Sequence, residues 1–170
     1  NYGDRYHGVA FNLISQPFSI LFNKFVSNLN GLTTYGGLLV AKHIAIFLTF
    51  TLSGVFFYFL SYKITNDLFF ALISSSLYLL YPYLLGHAQF NEKDIPFLSF
   101  WIINTYVSLT IIESLFLEKK ISNSKIILLS FLTAFLIGIR IVGILICLQY
   151  LLSLIILFNI KNIDIYDFIK

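Results

Sequence analysis

Gly86-His87-Ala88-Gln89-Phe90-Asn91-Glu92-Lys93-Asp94-Ile95-Pro96-Phe97 is the densest polar stretch of a very apolar chain. Uncharged runs flank it, residues 68–85 before it and 95–112 after it. Wound as helices at about 1.5 Å per residue, runs of this length suit the ~30 Å hydrocarbon core of a bilayer. Two such runs joined by a polar turn predict a pair of membrane helices running in opposite directions. Taken alone, the island fits both a solvated turn and a polar site at a membrane surface.

Composition extends that reading to the whole chain. Of 170 residues, 58% are hydrophobic, 18% aromatic and only 11% charged. A soluble domain carries about 25% charged residues, so these charges are too few to cover a globule. The chain is expected to be an all-α polytopic integral membrane protein. Its formal net charge of +3 is dispersed, and no Lys/Arg cluster points to nucleic acid. Cys147 is the single cysteine and lies in an apolar run, so an intrachain disulfide is excluded and packing is its expected role. The sequence has no Met and begins in a polar stretch, and it reads as a piece of a longer protein.

Taken in order, residues 1–37 read as an external loop with interfacial helices. Residues 9–29 place Phe11, Ile14, Phe18, Leu21, Phe22 and Phe25 at helical spacing, with Asn12, Ser15, Gln16 and Asn23 opposite. Such a helix suits a membrane interface, and Pro17 is expected to kink or divide it. Membrane segments are expected over 38–62, 68–86, 95–117 and 126–160, the whole forming a single transmembrane domain. Asp94 suits a helix N-cap, with Pro96 tolerated in the first turn. Residues 126–160 are too long for one span, since a straight helix would reach about 52 Å. A break is therefore expected near Gly138 and Gly143, with Arg140 close to a surface and four or five membrane helices in all.

Alternating crossings sort the polar residues. Residues 63–67, 118–125 and Lys161 fall on one side. Asp4, His7, Lys42, His43, His87, Asn91, Glu92, Lys93, Asp94 and Arg140 fall on the other. Lys119, Lys120 and Lys125 make the first side cytoplasmic, so the second group collects at the extracytoplasmic face.

Several chemistries are open to that group. Three His residues can ligate a metal, but no HxxxH or HExxH pair occurs and each His sits on a separate segment. A transporter would place charge within the membrane, where Arg140 is the one candidate. Transfer chemistry on a lipid-linked anion would use Arg140 and Lys93 on phosphate oxygens and Asp4 as general base. There is no P-loop, so a nucleotide donor is unsupported. A purely structural subunit would account for the spans but not for the one-sided clustering.

The island resembles the "GHxxxNPKDxPF" signature of GT-C superfamily membrane glycosyltransferases, the group of the dolichyl-phosphate-mannose protein mannosyltransferases (family 39) and the aminoarabinose transferases. Residues 2–11 resemble the "YGDxxYGxAF" loop, Lys42-His43 the "RH" pair, and residues 138–143 the "GxRxxG" turn. Glu92 stands where the signature has Pro, His7 where Tyr is common, and Lys42 where Arg is common. The resemblance implies an enzyme that moves a sugar, with inversion, from a polyprenyl-phosphate carrier to a glycan, lipid or protein acceptor outside the cytoplasm. It implies membrane lipids as surroundings, no cofactor, and leaves a divalent metal open. The membrane would be the plasma membrane of a bacterium, or that of the endoplasmic reticulum in a eukaryote. Arg140 and Lys93 become donor-phosphate ligands, and His87, Asn91, Asp94, His7 and His43 shape the substrate site. The family's Asp–Glu pair has no counterpart before Ile44, which leaves Asp4 as the available acid or puts the principal base upstream of Asn1.

Overall fold

The structure is a computed structural model, and it describes residues 10–26, 34–117 and 120–161. These residues fold as helices joined by short turns, with no strand among them. The helices are α1 (Ala10–Val26), α2 (Thr34–Thr65), α3 (Leu68–Leu80), α4 (Pro82–His87), α5 (Asp94–Phe116), α6 (Asn123–Ile139) and α7 (Leu145–Lys161), with a 3-10 turn at Ile141–Ile144. Three stretches are long and apolar enough to cross a membrane: Leu39–Thr65, Asp94–Phe116 and Ile141–Ile160. Leu68–Leu80 and Asn123–Ile139 are shorter apolar helices.

Local chemistry sets the boundaries. Asn66 adopts a left-handed backbone (φ 54°) and ends α2, a conformation its short polar side chain tolerates. Asp67 then caps α3, its Oδ1 accepting from the Phe69 and Phe70 backbone N–H groups at 2.8 and 3.2 Å. Two residues thus reverse the chain. The 68–86 segment is not one helix. Tyr81 is extended (φ −60°, ψ 117°) because Pro82 follows it, and Pro82 opens α4.

The α2–α3 hairpin closes tightly. Ser75 Oγ donates to the Gly54 carbonyl at 2.8 Å, and the Ser53 and Tyr78 hydroxyls meet at 2.8 Å. A Cβ on Gly54 would fall within 2.5–2.8 Å of the Leu79 side chain, so glycine sets this approach. α5 is central, packing against α2, α6 and α7. Its Ile95, Phe100, Ile103 and Val107 join Ile46 and Phe50 of α2 and Leu132, Leu136 and Ile139 of α6 in the core.

Two ion pairs mark the ends of the bundle. Lys42 pairs with Glu92 at 2.9 Å, and Lys63 pairs with Glu113. α2 and α5 therefore run parallel, and the interval from Lys42 to Lys63 on α2 matches that from Glu92, just before α5, to Glu113. At 1.5 Å per residue that interval is about 32 Å, close to the ~30 Å of a hydrocarbon core. No charged residue lies within 43–62, 68–80, 95–112, 126–139 or 141–160. The outer faces of this slab are apolar too, with Phe69, Leu77, Leu80, Ile127, Phe131, Leu152 and Ile156 among its exposed side chains. An apolar belt of this extent marks a surface that contacts lipid or protein.

Helix α1 is a single helix rather than two short ones divided at Pro17. It runs unbroken through Pro17, which sits on an exposed face next to the equally exposed Leu13, Asn12 and Gln16. The carbonyl that proline leaves unpaired, that of Leu13, belongs to that exposed turn rather than to the core. α1 also packs against α2 and α6. Phe11 is in the core, Ala10 lies against Gly138, where a Cβ would approach to 2.9 Å, and Ile14 and Phe18 wall an apolar cavity of ≈ 400 Å³ with Leu52, Phe56, Ile103 and Leu132. Ile14 and Phe18 thus face the groove between α2 and α6, while Leu21 stays exposed.

Candidate functional site

The break expected between Gly138 and Gly143 is present. α6 ends at Ile139, Arg140 is extended (φ −145°, ψ 134°), and the 3-10 turn leads into α7. Gly143 N–H donates to the Arg140 carbonyl at 2.8 Å. A Cβ on Gly143 would meet the backbone of Leu136 and Ile137 at 2.8–3.0 Å, so any side chain there would push the turn off α6. Around the turn Ile141, Val142 and Ile144 are exposed.

Arg140 is thereby delivered to the start of α5. Its Nη1 lies 2.6 Å from Asp94 Oδ1. The side chains are 42% and 55% exposed, so the pair contributes about 0–1 kcal/mol to stability and acts mainly on geometry. A guanidinium carries five N–H donors, and this pairing leaves most of them open.

Asn91 is the hub of the island. Its Oδ1 accepts from the backbone N–H groups of Lys93 (3.1 Å) and Asp94 (2.9 Å). Its Nδ2 lies 3.1 Å from Asp94 Oδ2 and 3.3 Å from His87 Nδ1. Capping of α5 thus falls to Asn91 and not to Asp94, which is the first helical residue and makes no capping bond. Asn91 is the earlier of two cap-type residues, and Asp94 has a stronger partner in Arg140. The His87 ring sits among aromatics, with centroid distances of 4.3 Å to Tyr83 and 5.3 Å to Phe90.

His87, Asn91, Asp94 and Arg140 therefore form one continuous network drawn from α4, the island, α5 and the α6–α7 break. Lys93, half-buried in the same turn, makes no ion pair among the described residues. Glu92, the departure from the "NPKD" pattern, has its charge met by Lys42. His43 is exposed beside Lys42. Asp4 and His7 lie outside the described residues. Among the described residues no cluster of three His, Cys, Asp or Glu is placed to hold a metal ion.

A second polar network lies deeper and was not anticipated from the sequence. Asn104 of α5 is fully buried. Its Oδ1 accepts from Tyr150 Oη at 3.1 Å and Thr133 Oγ1 at 3.4 Å, and those two hydroxyls meet at 2.9 Å. Nearby, Trp101 Nε1 donates to Gln149 Oε1 (3.0 Å) and Gln149 Nε2 to Thr105 Oγ1 (3.1 Å). Asn and Gln in mid-run are the signal that could have revealed it, since uncharged polar groups in hydrocarbon seek partners on neighbouring helices.

No protein-family model, curated protein or solved structure matches this chain. The site's chemistry has to be argued from its own geometry.

Proposed function

We propose that this chain belongs to an integral membrane glycosyltransferase that moves a sugar, with inversion, from a polyprenyl-phosphate donor to an acceptor on the extracytoplasmic side. The observation that carries the reading is the convergence of Arg140 and the Gly86–Asp94 island at one end of a charge-free slab of bilayer thickness. A lipid-linked phosphate presents its charge at that depth and its tail to the slab. Arg140, oriented by Asp94, supplies a planar fork for phosphate oxygens. Lys93, next to Asp94 in the chain and in no ion pair among the described residues, supplies a second cation. The apolar cavity walled by Ile14, Phe18 and Leu132 offers room for part of a tail. Leu132 lies about 12 Å along α6 from Arg140. His87 and Asn91 then shape the phosphate's surroundings, and an acid such as Asp4 activates the acceptor hydroxyl.

A second reading, a non-catalytic transporter-like or assembly protein, draws on the Asn104–Tyr150–Thr133 network in mid-slab. One experiment separates them. The full protein in its native membranes, which hold the acceptor whose hydroxyl takes the sugar, is given a polyprenyl-phosphate sugar, and release of free polyprenyl phosphate is followed. The transferase consumes the donor, Arg140→Ala lowers the rate by about two orders of magnitude, and Arg140→Lys recovers part of it. No release over a panel of sugars, with no binding of polyprenyl phosphate, removes the transferase reading and leaves the second.

A further inference from the structure

The hydrogen bonds of Asn91 decide the state of a neighbouring ring. Two backbone N–H groups, those of Lys93 and Asp94, point at one end of the amide. That end must be the carbonyl oxygen, because an NH2 there would face two donors. The other end is therefore the NH2. It has two hydrogens and two acceptors in reach, Asp94 Oδ2 at 3.1 Å and His87 Nδ1 at 3.3 Å. A carboxylate oxygen only accepts, and the imidazole nitrogen facing an NH2 must accept as well. The neutral ring then carries its proton on Nε2.

We propose that Asn91 is a positioning residue that holds neutral His87 in the Nε2–H form, so that the ring meets a lipid-linked phosphate as a hydrogen-bond donor. The inference rests on the transferase reading for its ligand, but the tautomer itself does not. His87 Nε2 has no partner among the described residues, and Tyr83 and Phe90 pack on the ring. The ring is fixed by Asn91 at one nitrogen and open at the other. With Nδ1–H instead, Nε2 would present a lone pair to the phosphate and repel it. Asn91 thus governs a donor it does not itself supply, through the same amide that caps α5.

The test is a cycle with a spectroscopic anchor. Histidine-selective 15N spectra of the protein in nanodiscs, at alkaline pH where imidazole is neutral, report the tautomer. His87 is assigned by the signal lost in His87→Gln. The wild-type ring is expected wholly as Nε2–H, and a mixture of tautomers there overturns the proposal. Asn91→Asp keeps an oxygen for the two backbone N–H groups but turns the group facing His87 into an acceptor, so the proton moves to Nδ1. Binding of polyprenyl phosphate, read from Trp101 emission, is expected to weaken roughly tenfold or more, the scale of one hydrogen bond to a charged group. His87→Gln retains an N–H donor and has no tautomer. In that background Asn91→Asp should change affinity less than threefold. An equal loss in both backgrounds means that the new charge or an altered cap is responsible, and the positioning role falls. A wild-type protein that shows the Nε2–H form but binds no polyprenyl phosphate overturns the ligand and the transferase reading together, leaving the tautomer standing.

Discussion

Replacing Gly143 by alanine tests the reversal that brings Arg140 to the site. The new Cβ would sit 2.8 Å from the Leu136 carbonyl oxygen, 2.9 Å from its carbon and 3.0 Å from Ile137 N. Ordinary contact begins near 3.4 Å, so the turn must move by roughly half an ångström against close-packed surroundings. The neighbours are backbone atoms of α6 and cannot swing aside as a side chain would. Overpacking of this kind costs about 1–3 kcal/mol. For a chain of this size that is about 2–4 °C in Tm per kcal/mol, so a fall of roughly 2–12 °C is expected by thermal unfolding in nanodiscs. Gly86→Ala is the control, because nothing lies within 4 Å of its Cβ position and it lies in a helix, where alanine is preferred by up to about 1 kcal/mol. That variant should melt at or slightly above wild type. If Gly143→Ala melts with Gly86→Ala, the 3-10 turn does not press on α6, and the delivery of Arg140 to Asp94 fails with it.

The remaining expectations concern the caps and the two networks. Asn91→Ala removes the acceptor of two N–H groups at the start of α5 and should cost about 0.5–2 kcal/mol. Asp94→Asn should cost under about 1 kcal/mol, because its partner is a half-exposed Arg140. Denaturation midpoints should therefore fall in the order Asp94→Asn, then Asn91→Ala, and the reverse order would return the cap to Asp94. Asn104→Leu should change stability by no more than about 1 kcal/mol in either direction. It removes a buried Nδ2 that has no partner among the described residues while Tyr150 and Thr133 keep each other; a loss above about 3 kcal/mol would show that the amide does more than these bonds. Gln149→Leu deprives the Trp101 indole of its acceptor, so the emission of this single tryptophan should shift; unchanged emission would refute that α5–α7 contact.

Much of the fold could be read because hydrocarbon imposes simple arithmetic. Uncharged runs gave the helices, and the excess length of residues 126–160 required the break now seen at Arg140. Alternation of crossings placed Lys42, the island and Arg140 at one end, and the pairs Lys42–Glu92 and Arg140–Asp94 join them there. What stayed hidden depends on partners far apart in the chain. The groove that receives Phe11, Ile14 and Phe18 exists only once α2 and α6 are side by side, so their helical spacing alone did not name their partners. Tyr81–Pro82 interrupts the 68–86 segment, a local signal that its apolar composition masked. The Asn104 network needs α5, α6 and α7 in register, and no single run announces it.

Asp94 shows why the candidate site could be located from sequence but not wired. Asn91 and Asp94 are both cap-type residues at the entry to α5, and local rules alone cannot rank them. The choice is made by Arg140, 46 residues later in the chain, and by the glycine turn that delivers it. Once Arg140 occupies Asp94 Oδ1, capping by Asn91 satisfies the helix end and leaves Asp94 Oδ2 to accept from the Asn91 amide. The helix terminus, the ion pair and the orientation of His87 are then one set of bonds. A substitution at Asn91 should consequently be felt at Arg140 and at His87 alike. Additivity between Asn91 and either neighbour would show instead that the three act independently.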